Sequence, residues 1–501
     1  MTKRPAIDPT FLELPFERLA DAALARAKQR GATYADFRFE RLRGHIVVAR
    51  DRELETSVLQ ESIGLSVRVI CNGAWGFAAG IDLTADAAAA VAASAADAAE
   101  TLAPLNTEPV VLAEEPVYND TYVSSYEIDP FLVSDEEKTA FLLGLNARAL
   151  GSRLVDRVTS YLMLASEQKF FASLSGSRIV QQRVRVKGDL TAVRIDKTTG
   201  AFETMGSAAA PVGRGWEYFT SGHDFNRDAD EIPGLLEQKM ASPSVSPGRC
   251  DLVIDPTNLW LTIHESIGHS TELDRVLGYE ANYAGTSFAT LDKLNTLQFG
   301  SPIMHVTGDR QVEGGLSTVG YDDEGVAAQT WDIVRDGRLV GYQLDRQMAH
   351  KQGFGRSNGC AFADAADHVP LQRMPNVSLR ASARDITIDD LIGAVDEGIY
   401  IVGDKSWSID MQRYNFQFTG QKFFRIRGGK LAGQLKDVAY QSKTTDFWNA
   451  MEAVGGPSTY VLGGAFNCGK GQPSQIAPVT HGCPAALFRQ INVLNTAQEG
   501  H

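Results

Sequence analysis

Two imidazoles and a carboxylate fall within one short run, Ile263-His264-Glu265-Ser266-Ile267-Gly268-His269. The chain has only 9 His in 501 residues, so an H-E-x-x-x-H pattern arises by chance on the order of 0.01 times per chain. These residue types do metal-assisted hydrolysis: imidazoles ligate a divalent ion, and a glutamate beside the first can reach water held there. In the H-E-x-x-H helix the two histidines are four apart and share a face. Here they are five apart, which at ~100° per residue separates them by ~140° on a regular α-helix. Two distortions would bring them together. One is a π-bulge with i→i+5 bonding, a feature that gathers at functional sites. The other is a helix that ends at Gly268 and lets His269 swing in. Glycine makes either change cheap.

The elements around this run are readable. A strand pattern at 251–254 leads into it. Asp255 supplies an N-cap oxygen, and Pro256 sits at the first helical position, where its missing N–H costs nothing. Leu259, Ile263 and Ile267 give the helix one apolar face, beside which His264 and Glu265 are carried toward a cleft. A catalytic zinc needs a third protein ligand and one open position. Cys468, flanked by Asn467 and Gly469 in what reads as a small-residue loop, is favoured; His481 and Cys483 are the alternatives. Cys71 and Cys250 lie in or beside strand patterns and read as buried thiols. A His2Cys set favours zinc over magnesium or calcium because thiolate is soft, with iron and cobalt left open. Tyr279, His305 and Arg356 are named as substrate-binding or oxyanion-stabilising groups.

Composition bounds the rest. With 44% hydrophobic and 22% charged residues the chain is an ordinary globular protein. A net charge of −14 argues against nucleic acid as a partner. Five scattered Cys do not form a disulfide framework. Residues 1–30, with Lys3 and Arg4 but no apolar segment, do not read as a secretory signal. The Ala-rich stretch 84–99 contains Asp86 and Asp97 and is no membrane span. A cytoplasmic location is expected.

The pattern predicts an α+β protein: an N-terminal helix-plus-sheet region followed by a β-rich C-terminal domain carrying an inserted metal-binding helix. The expected divisions are an α+β domain at 1–102, a linker at 103–133, a central α+β region at 134–241 and a β-rich catalytic domain at 249–501. Helices are predicted over 15–30, 85–102, 134–150, 228–240 and 444–454. Several short strands are predicted within 34–77, and two with one wet face at 183–195. Residues 279–300 read as a flexible flap. Asn72-Gly73, Asp336-Gly337 and Gly428-Gly429 read as tight hairpin turns.

The chain resembles the TldD/TldE (PmbA) family of zinc-dependent peptidases, on its catalytic TldD side. The resemblance rests on His264-Glu265 with His269, and on Asn467-Cys468-Gly469-Lys470-Gly471-Gln472. Supporting runs are Asn72 to Phe77, Gln343-Leu344-Asp345-Arg346, Gly355 to Gly359 and Arg373-Met374-Pro375-Asn376. It implies that His264, His269 and Cys468 bind zinc and that Glu265 is the general base. It also implies a dimer, with a TldE-like partner lacking the metal motif, that degrades unfolded or modified peptides in a closed chamber. Residues 355–359 carry fewer arginines than the family's run.

Other readings are weighed beside it: a metal-dependent hydrolase of a small-molecule amide or other C–N bond, and a non-catalytic scaffold subunit. Residues 464–471 are one residue short of a phosphate-binding P-loop and lack the following helix. Residues 355–359 match G-x-S-x-G but lack the strand-to-helix context of a serine nucleophile.

Overall fold

The computed structural model describes residues 6–497; Lys3 and Arg4 lie outside them. The chain folds as α+β with a β-rich C-terminal region.

The first part is a seven-stranded sheet. Its order is Ala74–Gly80, Glu53–Cys71, Tyr34–Arg50, Arg157–Ser173, Arg178–Ile195, Asn119–Val123, with Phe202–Gly206 also on Arg178–Ile195. The short strands expected in 34–77 are two long ones joined at Asp51, followed by the expected Asn72-Gly73 turn, whose residues have φ of 52° and 74°. Residues 103–133, read as a linker, contribute the strand Asn119–Val123, parallel to 178–182. The sheet therefore crosses the divisions drawn at 102 and 133.

Its two faces differ sharply. Phe37, Phe39, Val67, Val69, Leu162, Leu164, Val186 and Leu190 point to helices Phe16–Gln29, Ala85–Leu102, Asp135–Leu150 and Phe225–Ala241. Small residues (Ala20, Ala23 and Ala27 with Ala92, Ala95 and Ala99) fill the core under the first two helices. The alternate positions are Arg38, Glu40, Glu167, Lys169, Arg183 and Arg185. This face was expected to be wet; it is buried against the C-terminal region, where Lys169 and Arg38 meet Asp323. Period-two alternation marks a polar face, and only tertiary packing decides whether water covers it.

In the C-terminal region strands Glu397–Ile409, Gly248–Ile254, Ala486–Asn495, Val438–Lys443 and Asn415–Arg427 pair in that order. The last pairs back onto the first and closes a barrel. Gly248–Ile254 lies parallel to Glu397–Ile409, and helix Pro256–Ile263 springs from its end. A hairpin of Val461–Lys470 and Gln475–Cys483 packs across that helix. Three expectations change. The helix over 444–454 stops at Asn449, and Met451–Val454 is a strand because it pairs with Ala486–Phe488. Residues 279–300 have no strand, yet Phe288 and Phe299 are in the core, so the segment is packed down. Cys468 lies on a strand. Among the described residues no helix is long and apolar enough to cross a membrane.

Candidate metal centre

Helix Pro256–Ile263 starts as its sequence demands: Asp255 accepts the N–H of Thr257, and Pro256 occupies the first turn. It then widens. Residues His264–Gly268 form a π-turn in which the His269 N–H donates to the His264 carbonyl, five residues back. This is the first of the two distortions, and it brings the His264 and His269 rings to 4.7 Å between centroids. Hydroxyls of Ser266, Ser270 and Thr271 donate to the carbonyls of Thr262, Ser266 and Ile267 and reinforce the altered turn. Gly268 acts differently from expectation. Its φ of −52° is open to any residue. What matters is the missing side chain, because a Cβ there would lie 2.6 Å from Met374 Sδ. Gly463 serves the same purpose in the hairpin, where a Cβ would stand 2.3 Å from the Trp260 ring of the helix.

Cys468 reaches the two histidines from far along the chain, 199 residues beyond His269. It sits where the hairpin register shifts between Ala465 and Cys468, and such bulges re-aim side chains. The ligand atoms of His264, His269 and Cys468 lie within 4.8 Å of one another, all buried, and Cys468 Sγ is 3.7 Å from His269 Nε2. A tetrahedral zinc with bonds of ~2.0–2.3 Å sets its ligands about 3.4–3.7 Å apart. The donor types fit such an ion, and the Cys468–His269 pair already stands at that separation.

Hydrogen bonds fix which ring nitrogens face it. The Val377 carbonyl can only accept, so His481 donates to it through Nδ1 at 2.9 Å. His481 Nε2 is then an acceptor for His264 Nδ1–H at 2.8 Å, which leaves His264 Nε2 bare. His269 Nδ1–H donates to Glu272 Oε2 at 2.9 Å, which bares its Nε2 likewise. Burial favours the neutral imidazole: it holds His269 at about 4, and His264 and His481 below the ordinary histidine value. Neutral imidazole is the ligating form. Burial pushes the Cys468 thiol up, but the His269 ring and the Arg373 guanidinium outweigh it and leave the thiol below its ordinary value. Burial likewise opposes the Glu272 charge, and Lys470 and Arg275 overcome it, holding that carboxyl well below its usual range. Lys470 Nζ lies 3.1 Å from Glu272 and Arg275 Nε 3.0 Å.

Glu265 is also buried, beside these three side chains. Its Oε2 accepts from Arg413 at 2.7 Å. Arg413 stands in a hairpin turn with φ of 61°, a conformation that costs a non-glycine residue free energy and so marks a constrained site. A cavity of about 460 Å³ opens here. His264, Glu265, His269 and Cys468 form one wall, and Lys187, Asp189 and residues 207–211 of the N-terminal part face them.

The other residues singled out from sequence are not in this cavity. Tyr279 is half exposed on the surface. His305 pairs with Asp336 at the hairpin turn, 3.5 Å away. Arg356 is locked to Glu115 and Tyr118. A polar side chain far along the chain carries no local sign of where it points. Of the alternative ligands, His481 stands directly behind His264, and Cys483 faces the Pro256 carbonyl instead. Ser357 is buried and donates to the Leu344 carbonyl, so it is no exposed nucleophile. Residues 464–471 belong to the hairpin. Glu272, Lys470 and Arg413 were missed, although Glu272 follows His269 by three residues and Lys470 follows Cys468 by two, spacings at which side chains share a side.

Residues 247–495 match the family model described as PmbA/TldA metallopeptidase C-terminal domain, and residues 35–99 match PmbA/TldA metallopeptidase domain 1. A protein of Methanothermobacter thermautotrophicus named metalloprotease is 28% identical over 92% of this chain and 96% of its own. One of Saccharolobus solfataricus, named zinc metalloprotease TldD homolog, is 22% identical over 94% and 98%. The crystal structure of TldE from Thermococcus kodakarensis has the same fold, with a TM-score of 0.71, 14% identity and coverage of 95% and 99%. The two family models, the shared chain length and the shared fold agree: this chain belongs to the TldD/TldE (PmbA) family of metallopeptidases.

Proposed function

We propose that His264, His269 and Cys468 hold a zinc ion and that Glu265 is the general base of a peptidase acting on unfolded or modified peptides. The observation that carries this is the meeting of three metal-ligating atoms within 4.8 Å beside a glutamate, at the wall of one cavity. The name of the Saccharolobus relative supports zinc.

Bound there, zinc supplies Lewis acidity that makes water a nucleophile near neutral pH and polarises a carbonyl. The chain's own groups do the rest. Glu265 follows a ligand directly and is held through Oε2 by Arg413, so Oε1 is the oxygen that takes a proton from water. It then passes that proton to the amine that leaves as the C–N bond breaks. Glu272 and His481 orient the two imidazoles. The facing strand contributes Lys187 and Asp189 to the lining of the cavity. Likeness to TldE supports pairing with a TldE-like partner, which light scattering on the co-expressed pair tests.

The first experiment is zinc content by elemental analysis on wild type, His264→Ala, Cys468→Ala and Glu265→Gln, with cleavage of unfolded casein. About one zinc per chain is expected in wild type and Glu265→Gln, and little in the other two. Glu265→Gln should lose about 10²–10⁴-fold in kcat. A wild type that takes up no metal would leave the scaffold reading.

A further inference from the structure

A second cavity, of about 730 Å³, lies beside the metal cleft. Strand Arg178–Ile195 links the two. Its Arg185, Lys187 and Asp189 share one face, since side chains two apart point the same way. Lys187 and Asp189 line the metal cleft and Arg185 the second cavity. The step between them is about 7 Å, two residues of extended peptide. On the other side strand Val461–Lys470 serves both: Ala465 and Asn467 line the cleft, and Phe466 lines the second cavity.

Arg185 is only 7% exposed. Its NH2 donates to Glu167 Oε2 at 3.0 Å, while its Nε and NH1 have no hydrogen-bond partner. Glu167 is shared, because Arg183 donates twice to its Oε1. The buried cluster sets four cations (Arg38, Lys169, Arg183 and Arg185) against three carboxylates (Glu40, Glu167 and Asp323). One positive charge is left over, and Arg185, whose Nε and NH1 are covered and unpaired, is the one of the four cations that lines the second cavity, so an acceptor entering there must open a small gap to reach them. The other acids there do not meet it. Asp364 is taken by His368 and the Ile476 N–H, and Glu61 is exposed at the rim. A buried guanidinium with unmet donors is costly unless a ligand supplies the acceptor.

We propose that Arg185 anchors a carboxylate of the bound peptide, from its C-terminus or from an acidic side chain, and so sets specificity next to the cleavage site. This rests on the peptidase reading of the metal cleft. The apolar walls, Leu42, Phe362, Phe466 and Ile476, fit aliphatic neighbours of that carboxylate.

The test uses N-terminally fluorescein-labelled hexa-alanine as free acid and as amide, and amides carrying one Glu or one Gln at successive positions. Binding to the zinc-loaded Glu265→Gln protein is read by anisotropy. One carboxylate form should bind about tenfold or more tighter than its neutral counterpart. The acid–amide pair and the Glu–Gln pairs tell the two sources apart. The preference should vanish in Arg185→Gln and fall several-fold in Arg185→Lys, which keeps the charge beside Glu167 if the glutamine variant fails to fold. No preference for any carboxylate overturns the proposal without recourse to a variant, as does a preference that Arg185→Gln and Arg185→Lys leave unchanged. Wild-type cleavage separates the two failures. Equal kcat/KM for acidic and neutral peptides removes only the Arg185 anchor, whereas zinc-loaded wild type that cleaves neither these peptides nor casein removes the peptidase reading.

Discussion

His481 should control zinc affinity without touching the metal. It receives the His264 Nδ1–H and is itself fixed by the Val377 carbonyl. His481→Phe keeps a planar ring in the same space and removes the acceptor. His264 Nδ1–H is then buried with no partner, a loss of about 1–3 kcal/mol. His264 can escape by turning its ring or switching tautomer, and either move takes Nε2 out of line with Cys468 and His269. Both routes weaken metal binding, and substitutions of this kind cost about 10–100-fold in affinity. His481→Gln is the control, since its amide oxygen can accept from His264 while its NH2 donates to Val377. The assay is competition for zinc against a chromophoric chelator at pH 7.5, with circular dichroism to confirm the fold. His481→Phe should release zinc to the chelator at a tenth or less of the concentration needed for wild type, and His481→Gln should stay within a few-fold of wild type. A His481→Phe protein that is folded and binds zinc as tightly as wild type would refute the tautomer argument.

Three further outcomes follow from the same geometry. Glu272→Gln leaves Arg275 buried without its carboxylate and Lys470 with Asp274 alone, so urea unfolding should show a loss of about 3 kcal/mol, with zinc affinity also reduced. For Glu167, burial favours the neutral acid, but Arg183, Lys169 and Arg185 prevail and hold its carboxyl far below the ordinary range. Its stabilisation is therefore complete above the unfolded value near 4.3 and is lost as pH falls toward the folded value; the stability gap between wild type and Glu167→Gln should be constant from pH 6 to 8 and shrink below about pH 4. Chelation of the metal should leave the far-ultraviolet dichroism intact and lower Tm only by the mass-action loss of a ligand, because the donors are already braced by Glu272, His481 and Arg373.

The parts of this site that were legible in the sequence are those set by neighbours along the chain. Asp255, Pro256 and the five-residue spacing of His264 and His269 state a strand, a cap and a distorted helix within twenty residues, and the helix widens as that spacing requires. Cys468 was legible as a residue type among small neighbours, but not as a strand residue, because the pairing that makes it one is with Ala477 across a hairpin register shift. The barrel also needs Gly248–Ile254 to pair with Ala486–Asn495, about 240 residues further on, for which no local pattern exists. The charged face of the N-terminal sheet was visible as alternation at 183–187, and its burial was not, since the covering residues 322–324 lie far downstream. Tyr279, His305 and Arg356 lie outside the cavity for a related reason: each meets a local or distant acid or stays on the surface, and residue type alone does not reveal which.

The position of the missed charges shows how residues far apart in the chain are held together at the proposed metal site. The proposed metal site, split between residues 264–269 and 468, is only as well placed as the packing between helix and hairpin. Apolar packing alone allows sliding by fractions of an ångström, whereas zinc tolerates little variation in ligand distance. Lys470 resolves this. It is two residues from Cys468, and it meets Glu272 and Asp274 a few residues beyond His269, with the Gln372 carbonyl as its third acceptor. Arg373 adds a bond from its guanidinium to the Cys468 carbonyl itself. Each tie is buried, so a shift of the hairpin against the turn would strand a charge out of water, a far steeper cost than lost van der Waals contact. The same Glu272 that holds Lys470 also orients His269, which makes the register of the hairpin and the direction of a proposed ligand nitrogen consequences of one carboxylate.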